Sequence, residues 1–254
     1  MKLATATWAE VAAVSLDTPV LIPTGAVEQH GRHMPLATDT ILVTAVAEAV
    51  EARLTERVLL TPTLWLGASL HHLPFPGTLS ASFDAYHAAL RDVIESLARH
   101  GFHRFLVVNG HGGNADSNRV VLREIKHRRP ELTLAYQGYY DLWPAGLCAE
   151  VMEGPEKEIH HACEAETSLM LHVAPELVRR NLARDDGLRA APEWPGGVWA
   201  FDELTEEGSL GFATFATPEK GRRLFEGAVE GVTRWVETAA NGVTLRGIVG
   251  SGTI

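Results

Sequence analysis

Phe105-Leu106-Val107-Val108-Asn109-Gly110-His111-Gly112-Gly113-Asn114 is the stretch that decides the fold. Its first residues form a short, continuous apolar run, as a strand covered on both faces requires. The glycines that follow permit a tight turn and a close backbone approach. Asn114 to Arg129 then reads as a helix, stopped by Pro130, and Leu132 to Gln137 as the next strand. Strand, turn, helix and strand in that order predict a mostly parallel sheet with helices on both faces, a three-layer α/β/α arrangement. Ligands in such sheets sit beyond the carboxyl ends of the strands, where His111 falls.

The same grammar extends outward. Pro19-Val20-Leu21-Ile22 reads as a buried strand and runs into Pro23-Thr24-Gly25-Ala26-Val27-Glu28-Gln29-His30-Gly31-Arg32-His33-Met34-Pro35-Leu36-Ala37-Thr38-Asp39. Thr38 or Asp39 is expected to cap a helix reaching about Arg57, and Val58 to Pro62 to form another strand. Thr7 is expected to cap a short helix over residues 7–16. Residues 63–80 are a loop by composition and carry Trp65, His71, His72 and Phe75. Ser80 to His100 has helical apolar spacing, with Gly101 as the residue that ends it. Residues 138–160 are loop-rich and aromatic, a lid or an oligomer contact, and a helix opens near His160 and ends near Val173. Residues 185–215 are irregular, Pro218 to Ala240 is the last helix, and 241–254 is a surface strand or tail.

The bulk numbers exclude several classes. With 254 residues, a single domain spanning the whole chain is expected. A formal net charge of −10 argues against general binding to nucleic acid or an anionic membrane. No apolar run reaches the ~18–20 residues of a transmembrane helix. The first ten residues lack a signal-peptide apolar core, and two cysteines, Cys148 and Cys163, make no disulfide framework. A cytoplasmic protein acting on a small molecule is expected.

The chemistry lies in a scattered set of carboxylates and imidazoles. Glu28 and His30 are two apart, so in an extended segment they share a face. Glu28, His30, Asp39, His111 and Glu166 offer three carboxylates and two imidazoles, enough for two divalent metals if one carboxylate bridges, and Asp39 is the candidate bridge. A metal pair polarises a carbonyl and lowers the pKa of a shared water. A further group must carry protons to a leaving nitrogen, and His161 and Glu164, beside Glu166, are the candidates. Residues two apart on a helix face different ways, so only one of Glu164 and Glu166 is expected to face the metals. Arg32, His72 and Trp143 are the candidate substrate-binding residues, while His33 either orients a ligand or caps its loop. The Gly110-His111-Gly112-Gly113 turn has neither the Lys and Ser/Thr of a P-loop nor a dinucleotide fingerprint.

Five segments resemble the creatininase (creatinine amidohydrolase) family: Gly25-Ala26-Val27-Glu28-Gln29-His30-Gly31, Asp39-Thr40, Phe75-Pro76-Gly77-Thr78-Leu79-Ser80, Asn109-Gly110-His111-Gly112-Gly113-Asn114 and Glu166-Thr167-Ser168. They fall in the family's order. The resemblance implies a three-layer α/β/α fold, a metal-dependent hydrolase, and a homo-oligomer, often a hexamer. It also implies Glu28, His30, Asp39, His111 and Glu166 as ligands of Zn²⁺ or Mn²⁺, with Fe²⁺ an alternative, and His161 near the reacting nitrogen. Creatininase itself has a glutamate two residues after the histidine of the Asn-Gly-His motif, where this chain has Gly113. The expected reaction is attack of an activated water on the carbonyl of a small cyclic amide, a formamide or a relative. Two alternatives are hydrolytic carbon–carbon opening of a cyclic diketone of the oxidised-inositol type, and a metal-binding sensor without catalysis.

Overall fold

The computed structural model describes residues 1–186 and 197–241. Four parallel strands form the central sheet: β1 (Val20–Thr24), β2 (Leu59–Leu60), β3 (Arg104–Asn109) and β4 (Thr133–Gly138), in the order β2-β1-β3-β4. β3 lies beside β1 with Leu21 opposite Leu106 and Thr24 opposite Asn109. Its other neighbour is β4.

The helices are α1 (Trp8–Ala12), α2 (Thr38–Leu54), α3 (Phe83–Arg99), α4 (Ala115–Arg128), α5 (Leu147–Val151), α6 (Glu164–Val173), α7 (Phe201–Leu204) and α8 (Pro218–Ala240). Two short strands, β5 (Asp185–Asp186) and β6 (Gly211–Phe212), pair antiparallel outside the main sheet.

Strand alternation divides the core in two. Val20, Ile22, Phe105 and Val107 pack with Tyr86, Leu90 and Ile94 of α3 and Val121 and Ile125 of α4. Leu21, Leu106 and Val108 face the other way, onto Val43, Val46 and Val50 of α2 and Leu169, Leu224 and Val232 of α6 and α8. That is the expected three-layer arrangement. Burying each such side chain contributes about 1.5–3 kcal/mol, so the two cores dominate the stability.

The helix starts follow local chemistry. Thr7 and Glu10 form a reciprocal capping box at α1, and the Ser82 and Thr217 side chains accept from Ala85 N–H and Lys220 N–H. α2 differs from expectation. Its cap is Ala37, whose methyl side chain offers no acceptor, while Thr38 Oγ1 donates back to Pro35 O and the Asp39 carboxylate is turned into the cluster described below. α6 and α8 touch backbone to backbone. A Cβ on Gly221 would lie 1.8 Å from Ser168 O, so only glycine permits this approach of α8 to α6. The strand expected over Val58–Pro62 shrinks to Leu59–Leu60, since Pro62 has no N–H for a ladder. The expectation for residues 242–254 lies outside the described residues. No helix among the described residues is long and apolar enough to cross a membrane.

Candidate metal centre

The carboxyl ends of β1 and β3 launch the loops that carry Glu28, His30 and His111. The first turn of α2 adds Asp39 and that of α6 adds Glu166. All five side chains are buried. The cluster is knitted across its loops by amides. Asn114 Nδ2–H donates to Gly25 O at 2.9 Å, its Oδ1 accepts from Ala68 N–H at 2.8 Å, and Asn109 Nδ2–H donates to His111 O. Three loops, from β1, β2 and β3, are thereby locked together.

The geometry centres on Asp39. One of its oxygens, Oδ1, lies 3.1 Å from His30 Nε2, and the other, Oδ2, lies 3.3 Å from His111 Nδ1. On one side Glu28 Oε2 is 3.2 Å from His111 Nε2. On the other, Glu166 completes a group with His30 and Asp39. Glu28, Asp39 and His111 form one set whose ligand atoms lie within 4.8 Å of one another, and His30, Asp39 and Glu166 form a second. A third, Glu28, His30 and His161, shares members with both.

The donor set fits divalent ions on an observation of its own. Oε1 and Oε2 of Glu28 and Oδ2 of Asp39 are buried with no well-aligned hydrogen-bond donor, and only imidazole nitrogens, at 3.2–3.3 Å, face them. Buried carboxylate oxygens without donors are costly unless a cation faces them. The titration behaviour says the same. Burial opposes charge on His30, yet the facing Asp39 carboxylate overrides it and raises the imidazole to about 9. Burial also opposes charge on His111, and Glu28 with Asp39 drives it well above its ordinary value. Asp39 is held far below the carboxylate range, burial notwithstanding, by His30 and His111. The two raised imidazoles thus offset part of the carboxylate charge that divalent ions would neutralise.

Tautomers are set by the second layer of contacts. His30 Nδ1 lies 3.1 Å from Glu28 O and Nε2 3.1 Å from Asp39 Oδ1, both acceptors, so the metal-free ring donates from both nitrogens, and with Nδ1–H kept on Glu28 O it is Nε2 that would give up its proton to a metal. His161 Nε2 stands between Gln29 O at 2.8 Å and the Gln29 side-chain Nε2 at 3.0 Å, while its Nδ1 faces Glu28 Oε1 at 3.6 Å. Burial and the neighbouring His30 hold His161 well below the usual imidazole range. The Gln29 side chain is oriented by Gly31 N–H, which donates to Oε1, and its Nε2–H then donates to His72 Nδ1 at 2.9 Å. Ala162, at φ 50°, donates its N–H to Glu166 Oε2 from a left-handed backbone that alanine rarely adopts. Burial raises Glu166 to about 7 despite that bond and the nearby His30.

Three expectations are corrected. Glu164 does not face the cluster. Its carboxylate accepts from Glu153 N–H at 2.9 Å and Gly154 N–H at 2.8 Å, and pairs with Lys220 Nζ at 2.7 Å. Two residues along a helix is a turn of roughly 200°, so Glu166 points in and Glu164 points at α8. Trp143 is not in the cavity either. Its indole N–H donates to Leu224 O at 2.9 Å, and its ring packs on Tyr139. Arg32 is 66% exposed and pairs with Glu207 outside the site.

His72 does line the cavity, which encloses about 370 Å³. Beside the cluster, its walls are His71, His160, Tyr140, Ile159 and Phe201. Phe201 packs on the rings of His72 and His161, with centroids at 4.1 and 4.7 Å. Nothing in the local sequence marked Phe201 or Gln29, since each acts through partners far along the chain.

The Creatininase (creatinine amidohydrolase) family model matches residues 4–236. The chain is 34% identical over 232 residues to a mycofactocin precursor peptide peptidase of Mycobacterium ulcerans (strain Agy99), covering 85% of each chain. To the creatinine amidohydrolase of Pseudomonas putida it is 30% identical over 250 residues, covering 89% of this chain and 92% of that one. Solved relatives include a manganese creatininase (27% identity, TM-score 0.80, 93% of this chain and 97% of that one). A Zn–Zn form of a creatininase mutant superposes equally well (28% identity, TM-score 0.80, 93% and 97%). By fold, motif order and similarity across nearly its whole length, this chain belongs to the creatininase family.

Proposed function

We propose that this chain is a metal-dependent hydrolase of an amide carbon–nitrogen bond in a small polar molecule, with two divalent ions, Zn²⁺ or Mn²⁺, sharing Asp39. The observation that carries this reading is the Asp39 carboxylate, whose two oxygens face two separate ligand groups. Glu28 and His111 would hold one ion, and His30 and Glu166 the other. When bound, such a pair polarises a carbonyl and activates a water for attack. The protein's own groups do the rest. Gln29 fixes the rings of His72 and His161 at the buried floor of the cavity. His161, kept neutral by burial and facing Glu28 through Nδ1, is the residue assigned to carry the proton to the departing nitrogen.

A peptide bond is the second reading. It is favoured by the 34% identity to the mycofactocin precursor peptide peptidase and by a cavity wall that includes Phe201, Tyr140 and Ile159. One experiment separates the two. Metal-replete protein is assayed with creatinine, an N-formyl amine and short peptides, while elemental analysis follows wild type and Asp39→Asn. Two ions per wild-type chain, fewer than one in the variant, and turnover of a non-peptide amide support the first reading. Turnover of peptides alone supports the second. Full metal occupancy in Asp39→Asn would sink the bridged site.

A further inference from the structure

Five histidines line the cavity: His71, His72, His111, His160 and His161. Four have polar commitments. His72 meets Gln29 and Glu28, His111 meets Glu28 and Asp39, His161 meets Gln29, and His160 lies 3.8 Å from Glu156. His71 has no hydrogen bond or ion pair to any described residue, and rings alone hold it. It stacks on His111 at 5.7 Å and 13°, and leans on His72 at 4.3 Å and Phe201 at 6.3 Å. Its place exists because residue 113 is glycine: a Cβ there would lie 2.6 Å from His71 Cε1. The ring is therefore fixed in orientation while its polar atoms stay uncommitted. Nor does His71 belong to any of the three groups of described residues that could hold a metal.

We propose that His71 is a substrate-positioning residue, hydrogen-bonding the amide whose carbonyl is presented to the ligand cluster. This rests on the hydrolase reading above. An imidazole suits the task because an amide offers both an acceptor and an N–H donor, and the ring can answer either. No Lys or Arg is among the described residues lining the cavity, so the recognition here is between neutral groups. Phe201 and His111 supply the rigidity that lets one hydrogen bond select orientation.

The test uses Co²⁺-loaded protein, with acetohydroxamate, an amide-like probe, titrated by the change in visible absorption. In parallel, KM and kcat are measured on whichever amide the wild type hydrolyses. His71→Ala is expected to keep full metal content, weaken acetohydroxamate about tenfold and raise KM about tenfold with kcat nearly unchanged, the size of one hydrogen bond. His71→Asn, which restores a hydrogen-bonding group, is expected to recover most of the loss. Metal loss in His71→Ala would make the residue a ligand, and unchanged affinity and KM would make it packing. An Asn variant as weak as Ala would also overturn the assignment. Wild-type protein that binds neither Co²⁺ nor acetohydroxamate would refute the hydrolase reading itself, and this proposal with it.

Discussion

Kept metal-free with a chelator, this protein should lose stability in a defined window as the pH is raised. In the metal-free fold His30 is raised from 6.5 to about 9. A group raised in the folded state contributes stability that is fully present below its unfolded value and lost as pH climbs through its folded value. The window therefore runs from about pH 6.5 to 9. A difference of 2.5 in pKa corresponds to about 3 kcal/mol, taken once for the His30–Asp39 pair and not again for its partner. His111, raised well above its ordinary value, acts in the same direction. Glu166, raised to about 7, has already spent most of its contribution by the start of this window. For a domain near 250 residues, 3 kcal/mol lowers the Tm by roughly 6–12 °C. The assay is a thermal melt at pH 6.5, 8 and 9.5, with chelator and with saturating Zn²⁺ or Mn²⁺. Metal ions replace the protons as the positive charge, so the metal-loaded protein should show little of the drop. A flat metal-free profile, or an equal fall with metal present, would refute the view that the carboxylates demand positive charge.

Other outcomes follow from the same geometry. Glu164→Gln should cost roughly 1–3 kcal/mol in denaturant unfolding, because Lys220 loses its buried carboxylate and keeps only the exposed Glu153 and Phe215 O as partners, yet leave metal content unchanged. Loss of metal instead would return Glu164 to the site. On the two-ion reading proposed above, His33→Ala should weaken one ion about 10–100-fold, since His33 Nε2 bonds Thr167 Oγ1 at 2.8 Å and ties the Glu28–His30 loop to the helix carrying Glu166. Metal titration followed by calorimetry reads this, and two unchanged affinities would show that the loop holds its place without the tie. Arg32→Ala should change kcat/KM less than about twofold, because the side chain lies in solvent. A large rise in KM would place the substrate far outside the cavity described above.

What could be read from the sequence was what local spacing controls. The apolar run of β3, the glycine turn after it and the helix that follows are all short-range patterns, and they set the strand order's logic before any contact is known. The convergence of Glu28, His30, Asp39, His111 and Glu166 was legible for a related reason. Each stands at a strand end or in a first helical turn, and parallel sheets gather those positions at one edge. The misassigned residues lack that anchor. Trp143 was placed by its aromatic neighbourhood, but its decisive partner, Leu224 O, is 81 residues away. Arg32 shares the ligand loop, yet its direction is set by Glu207.

The pair Glu164 and Glu166 shows where such reading stops. Both carboxylates are buried in the same helical turn, and nothing local says which one serves the cluster. Helix geometry says only that they diverge. What decides is α8: Lys220 offers a buried ammonium to one face, and Gly221 lets that face come close enough to reach it. Once Glu164 is neutralised there, Glu166 is the acidic group of that turn left to face His30 and Asp39. The assignment of a site residue at one end of the chain thus depends on a glycine and a lysine more than 50 residues later, whose role appears only when the two helices are packed. The same logic makes Gly221→Ala informative. It should swing α6 as a unit, so that the metal group containing Glu166 weakens while Glu28, Asp39 and His111, borne by other elements, keep their ion. Elemental analysis showing one ion retained per chain would support that order of dependence. Loss of both ions in a variant that still melts cooperatively would show that the two groups cannot be held apart.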